Sequence, residues 1–109
     1  MKPFEVYDWA FEFGTHPAII VSPAGRCANA DLDTVNVIAC SSQRAARPAR
    51  VHEVLLDEAD GLEWETLARC DVLYLAPKSE LKRRRGTLTA ERRRQLGQKV
   101  IQLFQLWQA

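Results

Sequence analysis

With 109 residues, 47% of them apolar, the chain is large enough for one buried core and too apolar to read as intrinsically disordered. Charges interrupt every apolar run short of a bilayer span, and "MKPFEVYDWAFEFG" has no apolar signal region, so a cytoplasmic protein is expected. A formal net charge of +1 conceals a separation along the chain: seven of the 14 acids lie between Glu53 and Asp71, and eight of the 15 Lys and Arg between Lys82 and Lys99.

The first element, "FEVYDWAF", is aromatic and β-prone, with Trp9, Phe11 and Phe13 on one greasy face. Gly14 breaks it, and "PAIIVS" follows as a nearly continuous buried strand, with proline tolerated at its first position. Residues 23–33, "PAGRCANADLD", are rich in turn formers and predict a loop. A third strand is expected in "TVNVIACSS", where Val35, Val37 and Ala39 alternate against Asn36, Ile38 and Cys40. "SQRAARPAR" then leaves the sheet, carrying Arg44, Arg47 and Arg50. "VHEVLL" predicts a fourth strand. "DEADGLEWETLARC" predicts a turn at Asp60–Gly61 and a short helical turn, and "DVLYLAP" a fifth strand. "KRRRG" reads as a solvated loop or as a phosphate-attracting surface.

The last segment predicts a helix. Thr89 is a good N-cap and Glu91 favours the first turn. Leu96, Val100, Leu103, Phe104 and Trp107 form an apolar stripe, with Gly97 off it. Five short strands and one packing helix imply a mainly β fold: a strongly bent sheet or small barrel with a C-terminal helix laid on it. No Gly-rich phosphate loop supports a doubly wound α/β alternative. Cys27, Cys40 and Cys70 fit neither a disulfide framework nor zinc-ligand spacing, and Cys40, inside "VNVIAC", reads as a small core residue.

No HExxH, GxSxG or DxDxDG pattern occurs, and Asp57, Glu58 and Asp60 read as a solvated turn. The chemistry-bearing candidates are His16, at the start of the second strand, and "CSSQR", at the end of the third. Pro17 holds the backbone of His16 extended. Imidazole can exchange a proton near neutral pH, Ser41 and Ser42 supply hydroxyls, Gln43 an amide and Arg44 a permanent cation. Such a set can support transfer at a phosphodiester. The same residues also suit a strand cap and a satisfied sheet end, and the residue types leave both readings open.

Taken in order, "HPAIIVSP", "NVIACSSQ" and "CDVLYLAPKSELKRRRGTLTAERRRQLGQKVIQLFQL" resemble the PemK/MazF family of toxins from bacterial toxin–antitoxin pairs, over roughly residues 4–106. The resemblance implies a single domain with a small SH3-like barrel and C-terminal helix (the MazF/CcdB-type toxin fold), acting as a homodimer. It implies a metal-independent, cofactor-free endoribonuclease that cuts single-stranded RNA and is neutralised by a cognate antitoxin. His16 falls at the place of the family's catalytic arginine and Ser41 at that of its catalytic threonine or serine, with Ser42 beside it. Gln43 matches a family glutamine, Tyr74 replaces an arginine common in the later strand, and Pro77–Lys78 replaces an acidic–basic pair. The loop before His16 is shorter than in typical members. On this reading Trp9, Gln43, Arg44, Arg47, Tyr74 and Lys78 bind RNA by stacking and charge, with Arg44 or Arg26 stabilising the phosphoryl group. The alternative within the same fold is a non-catalytic toxin that binds a protein such as DNA gyrase, through the helix end "QLFQLWQA"; an inert relative is a third.

Overall fold

The computed structural model describes residues 1–105. The Trp107 end of the expected helical stripe lies outside the described residues. Seven strands form among the described residues, where five are expected from the sequence. β1 (Glu5–Phe11) turns tightly into β2 (Gly14–Ile20), and β3 (Thr34–Ala39) follows. β4 (Glu53–Leu56) pairs with β5 (Thr66–Arg69), and β6 (Tyr74–Pro77) and β7 (Lys82–Thr87) precede the terminal helix. A short helix α1 (Ala24–Ala28) occupies the expected loop, and α2 (Ala90–Phe104) is the expected long one.

The main sheet runs β6-β3-β2-β1-β7, every recorded pair antiparallel, and β4-β5 forms a separate hairpin. Beyond its last residue, β3 crosses to that hairpin through a Cys40–Ala68 bridge and a Ser41 N–H donating to the Leu67 carbonyl at 3.0 Å. The sheet is thus strongly bent, as expected, while its pairing does not close into a continuous barrel among the described residues.

Both faces of the main sheet are covered, which is why β2 and β3 are almost uninterruptedly apolar. Val6, Ile19, Ile38 and Cys40 face one core with Val54 and Leu56 of the hairpin, Leu88, and Leu96 of α2. Ala18, Ile20, Val35, Val37 and Ala39 face a second core with Phe11, Ala76 and Cys27 of α1. The two alternating sets of β3 thus divide between the two cores, Ile38 is as buried as Val35 and Val37, and Cys40 is the small core residue expected. Burial raises the Cys40 thiol far above its ordinary range and the Cys70 thiol to about 11, so both stay protonated packing groups.

Three further expectations are corrected. Gly14 opens β2 instead of ending an element, because its φ of 124° suits the hairpin turn after Phe11. The helical turn expected after Gly61 is the extended strand β5; the helical part, a 3-10 turn, lies before it at Glu58–Asp60. "KRRRG" is not a loop but most of β7, an edge strand whose Lys and Arg are typical protection against unwanted pairing.

β7 is irregular. Val6 faces Gly86 and Asp8 faces Lys82, so Arg83, Arg84 and Arg85 together oppose Tyr7 alone. The extra residues bulge, with Arg83 at a φ of 51°. Arg84 turns to Glu5, 2.6 Å away, while Arg85 turns to Asp8 and Glu63. Gly86 meets Gly61 directly: a Cβ built on either would lie 2.8 Å from the other's Cα. Beside this contact, fully buried Asp60 accepts from the backbone N–H of Asp57 and of Thr89, both at 3.1 Å, and Arg92 approaches it at 3.4 Å. One carboxylate thus ties the 3-10 turn to the start of α2, whose Thr89 hydroxyl caps Arg92 N–H as expected. In α2, Leu96 is buried and Val100 and Leu103 pack on the core, but Phe104 is exposed.

Between β3 and β4, residues 41–52 are held by Arg47, whose guanidinium forks onto Glu53 at 2.6 and 2.9 Å. That fork, together with the Arg50 N–H, lowers the Glu53 carboxyl from 4.5 to about 2, although burial opposes it.

Two glycines should respond oppositely to alanine. Gly97 has open space around it, so Gly97→Ala should raise stability by up to about 1 kcal/mol in chemical denaturation. Gly86→Ala forces backbone apart and should lower it by about 1–3 kcal/mol; equal effects would refute the close contact. The Glu53 carboxyl is depressed on folding, so it adds stability above the ordinary glutamate range, and that contribution drains away as pH falls from about 4.5 toward 2. Arg47→Gln should flatten this part of the acid-unfolding profile; a loss parallel to the parent protein would show that the fork is not responsible.

Candidate active site

The two sequence-derived candidates meet because of register. In β2–β3, Ala18 faces Ala39, Ile19 faces Ile38 and Ile20 faces Val37. Continuing that ladder sets Pro17 against Cys40, where the Cys40 N–H donates to the Pro17 carbonyl at 2.9 Å, and then His16 against Ser41. Both sit just where the two buried strands run out of core, so their polar side chains reach the rim. His16 Nδ1 donates to the Cys40 carbonyl at 3.1 Å. A carbonyl only accepts, so Nδ1 carries a proton, and in the tautomer this bond selects Nε2 is the nitrogen with the lone pair. Phe13 leans on this imidazole with ring centroids 4.9 Å apart.

His16 and Ser41 form the shared wall of two adjoining cavities. The smaller, about 140 Å³, also takes in Ser42, Thr15, Thr66, Trp64, Asp8, Glu63 and Arg85. The larger, about 660 Å³, is lined by Phe13, Tyr74, Gln43, Arg44, Arg47 and Arg69 among others. The Ser41 hydroxyl makes two long local contacts of 3.2 Å, accepting from the Gln43 N–H and donating to its carbonyl. The backbone at Ser41 is pinned more firmly, since the buried Thr66 hydroxyl donates to its carbonyl at 2.7 Å.

Of the other sequence candidates, Ser42, Gln43, Arg44, Arg47 and Tyr74 line this groove, while Trp9, Lys78 and Arg26 do not. Trp9 donates its indole N–H to Glu80 at 2.9 Å and borders a separate depression. The Lys78 ammonium donates to the Arg26 and Asn29 carbonyls at 2.7 and 2.9 Å, capping α1, and Arg26 is bound to Thr34. Arg47 borders the groove with its guanidinium committed to Glu53, and Arg69 pairs with Asp71. Arg44 lies over Trp64, its Cζ 5.7 Å from the ring centroid.

Sequence reasoning passes over Asp8, Trp64, Thr66 and Arg85. The first three sit in segments read as ordinary strand or turn. Arg85 is hidden in a run of three arginines, and only the bulge, a tertiary feature, separates it from Arg84. Among the described residues no group of three His, Cys, Asp or Glu side chains is placed to hold a metal ion.

Against known proteins, residues 7–104 match the family of PemK-like, MazF-like toxins of type II toxin–antitoxin systems. No curated protein sequence matches the chain. Among solved structures it is similar to a mycobacterial endoribonuclease in complex with its cognate antitoxin, at 19% identity and a TM-score of 0.82, covering 97% of this chain and 96% of that one. It is also similar to the Mycobacterium tuberculosis toxin MazF-mt6, at 20% identity and a TM-score of 0.79 over 94% and 97% of the two chains. A MazE–MazF structure from Deinococcus radiodurans matches at 17% identity and a TM-score of 0.71, over 95% and 94%. At these identities the structures establish a shared fold, and the family match covers nearly all of the sequence. The chain belongs to the PemK-like, MazF-like toxins of type II toxin–antitoxin systems.

Proposed function

We propose that this toxin is an endoribonuclease that cleaves single-stranded RNA without a metal or other cofactor, with His16 and Ser41 at the centre of its site. The observation that carries the reading is that His16 and Ser41 line the same two adjoining cavities just beyond the β2–β3 ladder, on a rim open to solvent and lined by aromatic and cationic side chains. The structural similarity to an endoribonuclease bound to its antitoxin supports it.

RNA brings its own nucleophile. His16 Nε2 takes the proton of the 2′-hydroxyl as that oxygen bonds to the adjacent phosphorus, and the P–O5′ bond breaks. A 2′,3′-cyclic phosphate and a free 5′-hydroxyl result, the leaving oxygen taking its proton from water in the open groove. The Nδ1–H bond to Cys40 holds the ring in the tautomer this step needs. The Ser41 and Ser42 hydroxyls orient the phosphate and donate to its non-bridging oxygens as charge builds there. In the larger cavity, exposed Phe13 and half-buried Tyr74 offer faces on which bases stack, and Arg44 follows the backbone. DNA can bind such a groove but lacks the attacking hydroxyl. The partner proteins are a second copy of the chain and a cognate antitoxin that covers the groove.

His16→Ala should lower cleavage of a mixed-sequence single-stranded RNA by about 10²- to 10⁴-fold while leaving thermal unfolding unchanged. His16→Ala should also remove one limb of the pH–rate profile, and a 2′-deoxy nucleotide at the cleaved position should block the reaction. Cleavage by His16→Ala at a rate near that of the parent protein would refute the assignment.

A further inference from the structure

Phosphoryl transfer adds negative charge to the non-bridging oxygens, and neither imidazole nor serine supplies a permanent positive charge to meet it. In the larger cavity Arg47 is committed to Glu53 and Arg69 to Asp71, and Arg44, stacked over Trp64, is left to follow the RNA backbone. In the smaller cavity, the wall shared by His16, Ser41 and Ser42 includes one Lys or Arg, Arg85. Resting on the endoribonuclease reading above, we infer that Arg85 is a catalytic residue that clamps the scissile phosphate, and that Glu63 holds the phosphate's place on it until RNA binds.

Three observations support this. First, Arg85 is built in: its side chain is 11% exposed, and the β7 bulge turns it into the cavity while Arg84 turns to Glu5. Bulges of this kind re-aim side chains beside active sites. Second, its two carboxylate partners differ. Asp8, in β1 and 20% exposed, takes Nη1 at 3.1 Å and holds the guanidinium from the sheet side. Glu63, 52% exposed and outside any strand, takes Nη2 at 3.1 Å. Third, Glu63 is shared with Arg83 at 3.6 Å, so an anionic group already bridges two arginines beside His16 and Ser42, as a phosphate would. An exposed carboxylate on a short connection can swing into water at small cost. Its departure leaves Nη2 and a charge surplus directed at the position the phosphate enters. Asp8 stays behind to keep the guanidinium aligned.

The two residues should therefore affect activity in opposite directions. With a mixed-sequence RNA as substrate, Arg85→Gln should lower kcat by about 100-fold. Arg85→Lys, keeping charge but losing the planar fork, should retain most of that loss. Glu63→Gln should lower KM roughly two- to fivefold with kcat preserved. Binding to an all-2′-O-methyl copy of the cleaved RNA, followed across salt concentration, should lose about 0.7 from its log–log slope in Arg85→Gln and none in Arg85→Lys. A purely structural ion pair predicts instead that Arg85→Gln and Glu63→Gln weaken the protein and its activity together, and that result would overturn the inference. So would wild-type kcat in a folded Arg85→Gln, which leaves the His16 assignment standing. If Arg85→Gln does not fold, Glu63→Gln and Arg85→Lys decide by the same criteria. A parent protein that cleaves no RNA would overturn both readings.

Discussion

The structure depends on one place where two backbones touch. Gly61 and Gly86 approach so closely that neither tolerates a side chain, and buried Asp60 fastens the same corner to the first turn of α2. This corner fixes the edge strand β7 against the turn that leads into β5. It therefore fixes Arg85, one residue before Gly86, relative to Glu63 and Trp64, two and three residues after Gly61. The smaller cavity is the space these residues enclose with the β2 and β3 ends. Aspartate suits the corner because it satisfies two orphan N–H groups and faces an arginine at once; any apolar replacement would leave those donors buried and unpaired.

The second constraint is the two-sided burial of β2 and β3. Strands covered on both faces have no room for polar side chains until the cover ends. Here it ends at His16 on one strand and Ser41 on the other, and antiparallel pairing makes those two ends neighbours. Pro17 lies inside β2, the fourth of its seven residues, and its missing N–H leaves the facing Cys40 carbonyl to accept from His16 Nδ1 instead; it also keeps the preceding backbone extended. Once the register is set by Ile19 and Ile38 in the core, the separation of imidazole and hydroxyl is set too. Core packing and site geometry are one specification.

The legible features of the sequence were those with strong local periodicity or strong local chemistry. The apolar runs of β2 and β3, the Thr89 cap and the Leu96–Val100–Leu103 stripe carry their own signals, and so His16 and Ser41 could be singled out at strand ends, while the pairing that brings those ends together is a tertiary feature. β5 could not: Thr66–Arg69 is four residues long, follows an acidic stretch, and becomes a strand only because β4 and the Cys40 crossing supply partners. β7 was obscured by its arginines, which read as solvent-loving although an edge strand accommodates them. Trp9 and Lys78 show the converse error. Aromatic and cationic residue types suggest nucleic-acid contact, but a single carboxylate at Glu80 and two carbonyls at the end of α1 claim these two. Partners 49 to 71 residues away leave no trace in local composition.

The separation of charge along the chain has a plain structural outcome. The acidic stretch from Glu53 to Asp71 and the basic stretch from Lys82 to Lys99 meet in space: Arg83 and Arg85 on Glu63, Arg92 on Asp57 and Asp60. Arg84 goes to Glu5, and within the acidic stretch Arg47 and Arg69 answer Glu53 and Asp71. A run such as "KRRRG" is therefore no ready-made phosphate surface, because Arg84 and Arg85 are held by carboxylates at hydrogen-bond distance and Arg83 lies 3.8 and 3.6 Å from Asp8 and Glu63. Any polyanion that binds here must compete with those carboxylates. Competition is cheap where the carboxylate is exposed, as at Glu63, and expensive where it is buried, as at Asp60 and Glu53. The groove beside His16 is where an exposed acid, a largely covered arginine and an open wall coincide, so the fold's own electrostatics single out the same point that its strand register does.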